Sequence, residues 1–302
     1  MYLNHFGLSG MPFEATSNGR IYVELPDHRE AFNTILFALR SGEGFVKVVG
    51  EVGTGKTALC RNLLTALDGE FVTAYLPNPA MRATDLLLSL ADELGAALPA
   101  RTSAHVLKQQ TRDLLLAIAR EGGRVVILVD EAQTMPAATL EELRLLSNLE
   151  TSDGKLVQVV LFGQPELDEK LEHYSLRQLQ QRISFSARLE PLGREECRYY
   201  VSERLAQCGA GPQPIFTPAA IDRIHRASGG IPRLVNVLCH KSLIAAFSDG
   251  EYQVSRRHVS RAKSDTEGIQ RWQTRPLWGN RTTPARRRGQ TGSIQGWRSF
   301  PG

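Results

Sequence analysis

One stretch of the sequence combines glycines, a lysine and a threonine at a spacing that suits phosphate binding. Residues 45–64 read FVKVVGEVGTGKTALCRNLL, and residues 50–57 fit the pattern GxxxxGK[ST] without a mismatch. The glycines allow successive backbone N–H groups to face phosphate oxygens, and a helix beginning at Lys56 would add its N-terminal dipole. An apolar strand before the loop and a helix after it complete the pattern, so we predict a nucleotide site rather than an ordinary glycine turn.

Two polar side chains of this phosphate loop (residues 50–57) have expected roles. The Lys56 ammonium reaches the β- and γ-phosphates and is counted among the catalytic residues, and the Thr57 hydroxyl is a ligand for Mg²⁺. The residues predicted to bind nucleotide in this segment are Gly50, Glu51, Val52, Gly53, Thr54, Gly55, Lys56, Thr57 and Ala58.

Two acidic residues end a second apolar run, RVVILVDEAQ. Open parallel sheets bind ligands at the carboxyl ends of their strands, which is where Asp130 and Glu131 would lie. We predict that Asp130 belongs to the nucleotide site and holds Mg²⁺ through its water shell, and that Glu131 is the general base for an attacking water. The alternative is a pair of solvated acids that caps a helix.

A third apolar run, LVQVVLFGQPELDEKL, reaches a polar residue at Gln164. Its strand would end at the same edge of the sheet as the acids, so the Gln164 side chain would lie between Glu131 and the γ-phosphate. We predict that it orients the attacking water. The alternative is a Gln-Pro turn that only ends the strand.

Three arginines are candidates for contacting the γ-phosphate. In GGIPRLVN, Arg233 lies in the first turn of a predicted helix, where the helix dipole disfavours a cation unless an anion offsets it. We predict that Arg233 closes over the γ-phosphate. In YSLRQLQQRISF, near the end of a predicted helix, Arg182, or less favourably Arg177, is predicted to act on a neighbouring subunit's nucleotide as an arginine finger. The alternative for all three is a solvated surface side chain.

These motifs need a parallel sheet to bring them together. Short apolar runs alternate with longer helical patterns, which predicts an α/β fold rather than a helical bundle or a sandwich. The predicted strands cover residues 45–49, 71–76, 125–129, 157–162 and 183–187, and the predicted helices cover residues 56–67, 84–98, 104–120 and 137–148.

After Pro191 the strand pattern disappears and four helical segments follow. Thr217 caps one of them and Gly229 ends it, and Ser255 caps the last. We predict an α/β nucleotide-binding core at residues 1–190 and a small all-helical lid at residues 191–263. Residues 264–302 are rich in Gly, Pro, Thr, Gln and Arg without apolar periodicity, which predicts a disordered basic tail.

Composition and charge narrow the class of protein. The 302 residues carry a formal net charge of +4, and the tail holds seven arginines against two acidic residues, so the positive excess belongs to the tail. No apolar run approaches the roughly 18 residues of a membrane helix, and no signal peptide is found, which predicts a cytoplasmic protein. The four cysteines lack CxxC spacing and are expected to be reduced core residues, and the scattered histidines offer no metal site.

Taken in this order, the motifs resemble those of the AAA+ ATPases over about residues 1–263. Several details, MYLNHFGLSGMPF, HREAFNTILFAL, DEAQ, FGQPEL, LRQLQQRI and GGIPRLVN, look like the ExeA/GspA and MshM group. Those proteins are ATPases of type II secretion and of mannose-sensitive haemagglutinin (type IV) pilus biogenesis. The resemblance implies a P-loop NTPase (AAA+/ASCE) fold, with a parallel sheet between helices, followed by the helical lid.

The resemblance also implies roles for particular residues. The acids become the Walker B motif, with Gln164 at sensor 1 and Arg233 at sensor 2. Pro12, Phe13 and the helix of His28 would border the adenine pocket. ATP is expected rather than GTP, in keeping with the family's habit and with the lack of a base-reading NKxD pattern after the phosphate loop.

By the same resemblance, the function is ATP hydrolysis coupled to assembly or localisation of a cell-envelope machine, either a type IV pilus or a type II secretion system. Secretion members continue into a transmembrane helix and a periplasmic peptidoglycan-binding domain, so the shorter pilus-type member is expected to be the closer match. The expected partners are ATP, further copies of the chain and envelope-machine proteins, which would recruit the protein to the inner membrane.

A nucleic-acid-linked ATPase, such as a transposition helper, is the alternative function. It is suggested by the common AAA+ core and by a tail in which arginines alternate with Trp and Phe, since such tails bind phosphates and stack on bases. Nucleic-acid binding through the tail is less favoured, because about 40 residues of this composition cannot form a compact winged helix.

Overall fold

The parallel sheet predicted from the sequence is present. A computed structural model describes residues 2–14, 21–99, 102–151 and 154–266. In chain order the strands are β1 (Phe45–Gly50), β2 (Val72–Leu76), β3 (Val125–Val129), β4 (Glu150–Thr151), β5 (Gly154–Lys155), β6 (Val157–Gly163) and β7 (Ile183–Leu189).

Helices precede, separate and follow these strands. They are α1 (Tyr2–His5), α2 (Pro26–Arg40), α3 (Lys56–Leu67), α4 (Ala83–Glu93), α5 (Ala104–Arg120), α6 (Ala137–Leu146), α7 (Glu166–Leu171), α8 (Arg177–Gln180), α9 (Arg194–Ala206), α10 (Pro218–Ser228), α11 (Pro232–Ser248) and α12 (Arg256–Ser264). Across the described ranges, no helix combines the length and the apolar character needed to span a membrane.

Five strands form one parallel sheet in the order β2-β3-β6-β1-β7, and β4 and β5 pair as a short antiparallel hairpin. In β6, Val159 pairs with Phe45 on one side and with Ile127 on the other. Every residue of β3 and β6 is buried, as expected for central strands of a parallel sheet covered on both faces. The strands β1, β6 and β3 are adjacent and parallel. The residues that follow them therefore lie side by side at one edge of the sheet.

Helices cover both faces of the sheet, as the predicted P-loop architecture requires. On one face, Ile35 of α2 and Leu63 of α3 are fully buried against Val48 and its neighbours. On the other face, helices α4 to α8 contribute buried leucines that include Leu86 and Leu115. The sheet edge that carries the phosphate loop is therefore held between two apolar cores.

The N-terminal segment packs with the last four helices rather than with the sheet. Tyr2, Phe6 and Phe13 share a buried cluster with residues of α9 to α12, and the Phe13 ring centroid lies 6.0 Å from that of Phe216. The boundaries at 190/191 and 263/264 stay predictions. Residues 267–302, which hold most of the predicted tail, lie outside the described residues.

The predicted helix caps are present in the all-helical part. The Ala220 N–H donates to the Thr217 hydroxyl oxygen at 3.1 Å, and Gly229 follows α10 with φ of +59°. Before α12, the Ser255 N–H donates to His258 Nδ1 at 3.0 Å. These contacts satisfy backbone groups that a helix end leaves without partners.

Two predicted helices differ from the structure. The helix predicted at residues 84–98 ends at Glu93, because Gly95 takes a φ of +79° that a helix cannot continue. The segment that carries Arg177 and Arg182 is not one helix: Arg177 begins the single turn of α8, and Arg182 lies after its end. A four-residue turn is too short for an apolar period to reveal.

All four cysteines are buried and free, as the sequence predicted. Burial raises the pKa of the Cys197 thiol to about 12, and it raises the pKa of Cys60 as well. Thiolates are therefore disfavoured at these positions near neutral pH.

Two adjacent glycines before α11 provide a matched test of the packing between the lid helices and the loop after β7. Gly230 has φ of +76°, and a Cβ there would overlap the Leu192 carbonyl oxygen, whereas Gly229 has open space around its Cβ position. We expect Gly229→Ala to lower the free energy of unfolding by about 1 kcal/mol through its φ alone. Gly230→Ala should cost at least about 2 kcal/mol, because the Leu192 backbone must also move. Urea denaturation of both variants checks this, and equal losses would contradict it.

Candidate nucleotide-binding site

The phosphate loop leaves the end of β1 and turns directly into α3. Gly53 and Gly55 have φ values of +84° and +105°, which only glycine adopts without strain. A Cβ on Gly55 would lie 2.6 Å from His28 Nε2, and one on Gly53 would lie 2.8 Å from Cβ of Arg233. The glycines therefore allow both the turn and the close approach of α2 and α11 to the loop.

The Lys56 side chain lies folded back over this loop. It is only 5% exposed, and its ammonium donates to the carbonyl oxygens of Gly50 at 2.7 Å and Glu51 at 2.9 Å. Burial lowers the pKa of Lys56, and the negative charges of Glu131 and Asp130 oppose that shift. A buried cation held by neutral carbonyl groups retains a strong attraction for an anion such as a phosphate.

Thr57 and Asp130 meet at the point predicted for the metal ion. The Thr57 hydroxyl donates to Asp130 Oδ2 at 2.7 Å, and Asp130 Oδ1 accepts the Glu131 N–H at 2.9 Å. Asp130 is 4% exposed. A hydroxyl beside a carboxylate is an all-oxygen donor pair of the kind that Mg²⁺ prefers, so these residues fit that ion.

Glu131 is held in an unusual backbone conformation. Its φ of +51° makes it the one residue other than glycine, within the described ranges, in the left-handed region. Its carboxylate Oε2 accepts hydrogen bonds from Gln133 Nε2 at 2.6 Å and from Gln164 Nε2 at 2.9 Å. The predicted base and the predicted sensor residue are therefore in direct contact.

Gln133 is a site residue to which the sequence analysis gave no role. Besides its bond to Glu131, its Oε1 accepts the backbone N–H of Gln164 at 3.1 Å. The only sequence signal for it was its place in DEAQ, two residues after Glu131. Its contact with Gln164 arises from the neighbouring positions of β3 and β6, which no local pattern contains.

The loop is flanked by His28 from α2 and by Arg233 from α11. The His28 Nε2 atom lies 2.9 Å from the Thr54 carbonyl oxygen, so Nε2 carries the proton. The Arg233 backbone N–H donates to the Gly53 carbonyl at 3.2 Å, and its side chain is exposed. The first turn of α11 thus lies on the loop through its backbone, and the predicted contact of the Arg233 side chain with the γ-phosphate stays a prediction.

The remaining predicted residues lie apart from these contacts. Phe13 is buried against the lid helices, and the Pro12 carbonyl accepts a hydrogen bond from buried Arg204. Arg177 lies over the Tyr174 ring at 5.7 Å, and Arg182 is half-buried before β7. Neither arginine forms a hydrogen bond to the loop or to the acids within the described part of this chain.

Comparison with known proteins finds a matching family model, a related sequence and related folds. Residues 39–171 match the family model described as an AAA domain. This chain carries an AAA domain. Over 269 residues the chain is 44% identical to general secretion pathway protein A of Aeromonas hydrophila, covering 89% of this chain and 49% of that protein. It therefore spans about half the length of this curated relative.

Solved structures share the fold over most of this chain. Cdc6p of Pyrobaculum aerophilum matches with a TM-score of 0.67 at 16% identity, covering 84% of this chain and 70% of that one. The ORC2 protein of Aeropyrum pernix matches with a TM-score of 0.62 at 20% identity, covering 84% and 71%. The predicted P-loop AAA+ fold is confirmed, and so is the resemblance to general secretion pathway protein A. The likeness to MshM stays a prediction.

The buried His28 beside the loop predicts a pH dependence of stability. Burial lowers the pKa of His28, although its bond to Thr54 opposes the shift. The unfolded chain therefore takes up the proton first, and this part of the free energy of unfolding is present above about pH 6.5 and lost as the pH falls toward the folded-state pKa. We expect a loss of the order of 1 kcal/mol between about pH 7.5 and 5.5 that His28→Gln abolishes, because a neutral amide keeps the bond to Thr54.

Urea denaturation at several pH values measures this dependence. His105→Gln, an exposed substitution on α5, is the matched control. It should leave the change in the free energy of unfolding with pH the same as in wild type. His240 and His258, whose pKa values burial also lowers, remain in both variants and contribute equally. If His28→Gln leaves the pH dependence of the free energy of unfolding unaltered, His28 is not its source.

Proposed function

We propose that the chain is an ATPase that binds ATP with Mg²⁺ between the phosphate loop and the acids of β3 and hydrolyses the γ-phosphate. The observation that carries this proposal is the direct contact of the Glu131 carboxylate with Gln164, next to the Thr57–Asp130 pair. A nucleotide-binding switch needs the loop and the metal ligands alone. A carboxylate positioned beside them by two amides is an additional feature that suits a general base for hydrolysis.

The phosphates would be held by groups that now bond within the loop. The Lys56 ammonium would exchange the Gly50 and Glu51 carbonyls for β- and γ-phosphate oxygens. The backbone N–H groups of the loop and the N-terminus of α3 would supply further donors. Thr57 and Asp130 would hold Mg²⁺, which neutralises charge on the β- and γ-phosphates when bound.

Glu131 would act as the base in hydrolysis. Both amides bind Oε2, and within the described residues Oε1 has no hydrogen-bond partner, so Oε1 would accept the proton of the attacking water. The water oxygen bonds to the γ-phosphorus while the bond to the β–γ bridging oxygen breaks, and the products are ADP and phosphate. Gln164, which is bonded to Glu131, would help orient that water.

The cellular role follows from the relative at 44% identity. The name of that relative, general secretion pathway protein A, links it to secretion. We infer that this chain couples ATP turnover to a cell-envelope secretion machine. Its partners would then be proteins of that machine, which would bring a cytoplasmic ATPase to the inner membrane. A role in type IV pilus assembly is the alternative within the same group.

Substitution of Glu131 tests the hydrolytic part of the proposal. Glu131→Gln keeps the size of the side chain and removes the base, so we expect ATP binding within about twofold of wild type and turnover reduced at least a hundredfold. Steady-state phosphate release and binding of a fluorescent ATP analogue provide the two measurements. Lys56→Ala is the control and should abolish binding itself. Turnover equal to wild type in Glu131→Gln would exclude the general-base role.

An arginine supplied by a neighbouring copy predicts that activity depends on assembly. We propose that Arg182, which has no bond to its own site, completes the site of a second subunit. Specific ATPase activity should rise with protein concentration in step with assembly measured by light scattering. Arg182→Ala should lower the activity of assembled protein about a hundredfold or more without changing that of dilute monomer. Arg177→Ala is the matched control, and a larger effect there would reassign the finger.

A further inference from the structure

Gln133 connects two parts of the site that are far apart in sequence. It lies in the short helical turn Ala132–Thr134 after β3, and its side chain bonds both Glu131 and the backbone of Gln164, the residue after β6. Its Nε2 is 2.6 Å from the Glu131 carboxylate, and its Oε1 is 3.1 Å from the Gln164 backbone nitrogen. In the described part of the chain, no other side chain connects the proposed base, Glu131, to the backbone of Gln164.

The chemistry of the partners fixes the orientation of the Gln133 amide. A backbone N–H can only donate, so the atom facing the Gln164 nitrogen must be the amide oxygen. A carboxylate can only accept, so the atom facing Glu131 must be the amide nitrogen. The opposite orientation would lose both bonds, and Gln133 therefore acts as a directed bridge between the two neighbours.

The backbone of Gln133 is fixed independently from α7. Lys170 of α7 donates to the Gln133 carbonyl at 2.7 Å and also to the Met135 carbonyl. Burial lowers the pKa of Lys170. Because α7 begins two residues after Gln164, both anchors of Gln133 belong to one continuous segment, residues 164–170.

The left-handed backbone of Glu131 needs such support. A φ of +51° is strained for a residue with a side chain, and it persists only where neighbouring contacts hold it. The two amide bonds to Oε2 restrict where the carboxylate points. Without them, Glu131 would be free to adopt other rotamers in which its carboxylate points elsewhere.

We propose that Gln133 is a positioning residue for hydrolysis, which transmits the position of residues 164–170 to the Glu131 carboxylate. This role rests on the proposed ATPase activity and adds to it a residue that touches neither nucleotide nor metal. A change in residues 164–170 then alters the rate of hydrolysis by moving the base and leaves the binding of ATP unchanged.

Gln133→Glu is the sharpest test, because it conserves size and the acceptor for Gln164 while replacing the donor with a second carboxylate. We expect kcat to fall about tenfold to a hundredfold, with KM and the Kd for a non-hydrolysable ATP analogue within about twofold of wild type.

Gln133→Met separates the bridge from simple packing, since it keeps the volume and removes both hydrogen bonds without adding charge. It should lower kcat to a similar extent, again with KM and the Kd for the ATP analogue within about twofold of wild type. Gln109→Glu, an exposed substitution on α5, controls for the added charge and should match wild type. Thermal unfolding of each variant verifies that it is folded. If Gln133→Glu does not fold, the kcat of Gln133→Met alone tests the positioning role.

The outcomes separate this role from the function on which it rests. If wild type hydrolyses ATP and Gln133→Met keeps its kcat, the positioning role is wrong while the ATPase assignment stands. The role is also wrong if the variants lose ATP affinity as much as turnover, because Gln133 would then support the site as a whole. If wild type shows no Mg²⁺-dependent hydrolysis, the proposed function fails and this role fails with it.

Discussion

The position of β6 between β1 and β3 is the constraint on which the rest of the site depends. The phosphate loop follows β1, the two acids follow β3, and Gln164 follows the strand between them. In a parallel sheet with this order, the carboxyl ends of the three strands lie next to one another. The bond between Thr57 and Asp130 closes the arrangement across the end of β6. Helices on both faces supply the apolar cores that keep these strands in register.

The charged groups of the site are held by neutral partners. Carbonyl oxygens hold Lys56, amide groups hold Glu131, and a hydroxyl and a backbone N–H hold Asp130. In the described part of the chain, Lys56 forms no ion pair with either acid. Neutral dipoles satisfy hydrogen bonds without cancelling charge, so each charged group remains available to a ligand of opposite sign. This arrangement suits a site that receives a polyanion together with a divalent cation.

Local sequence pattern was sufficient for the sheet and for the residues of the phosphate loop. The strand-to-helix context of residues 45–64 and the apolar run before Asp130 each lie within one short segment, so the elements could be predicted from them. The bridge through Gln133 could not, because it depends on how close β3 and β6 lie rather than on either segment alone. The packing of the N-terminal segment could not be predicted either, because the spacing of Tyr2 and Phe6 does not indicate which helices they pack against. Single-turn elements such as α8 are too short to have a period at all.

The packing of the N-terminal segment limits how the helical part can move against the sheet. The chain passes from one apolar core to the other twice, between Leu25 and Ala31 and again between Leu189 and Leu192. A body joined to another at two separate points has little freedom to slide or to twist about a single link. Its easiest motion is rotation about the line through both joints. For a helical part that touches the phosphate loop through Arg233, such a rotation converts a small displacement at the loop into a reproducible tilt of the whole helical unit.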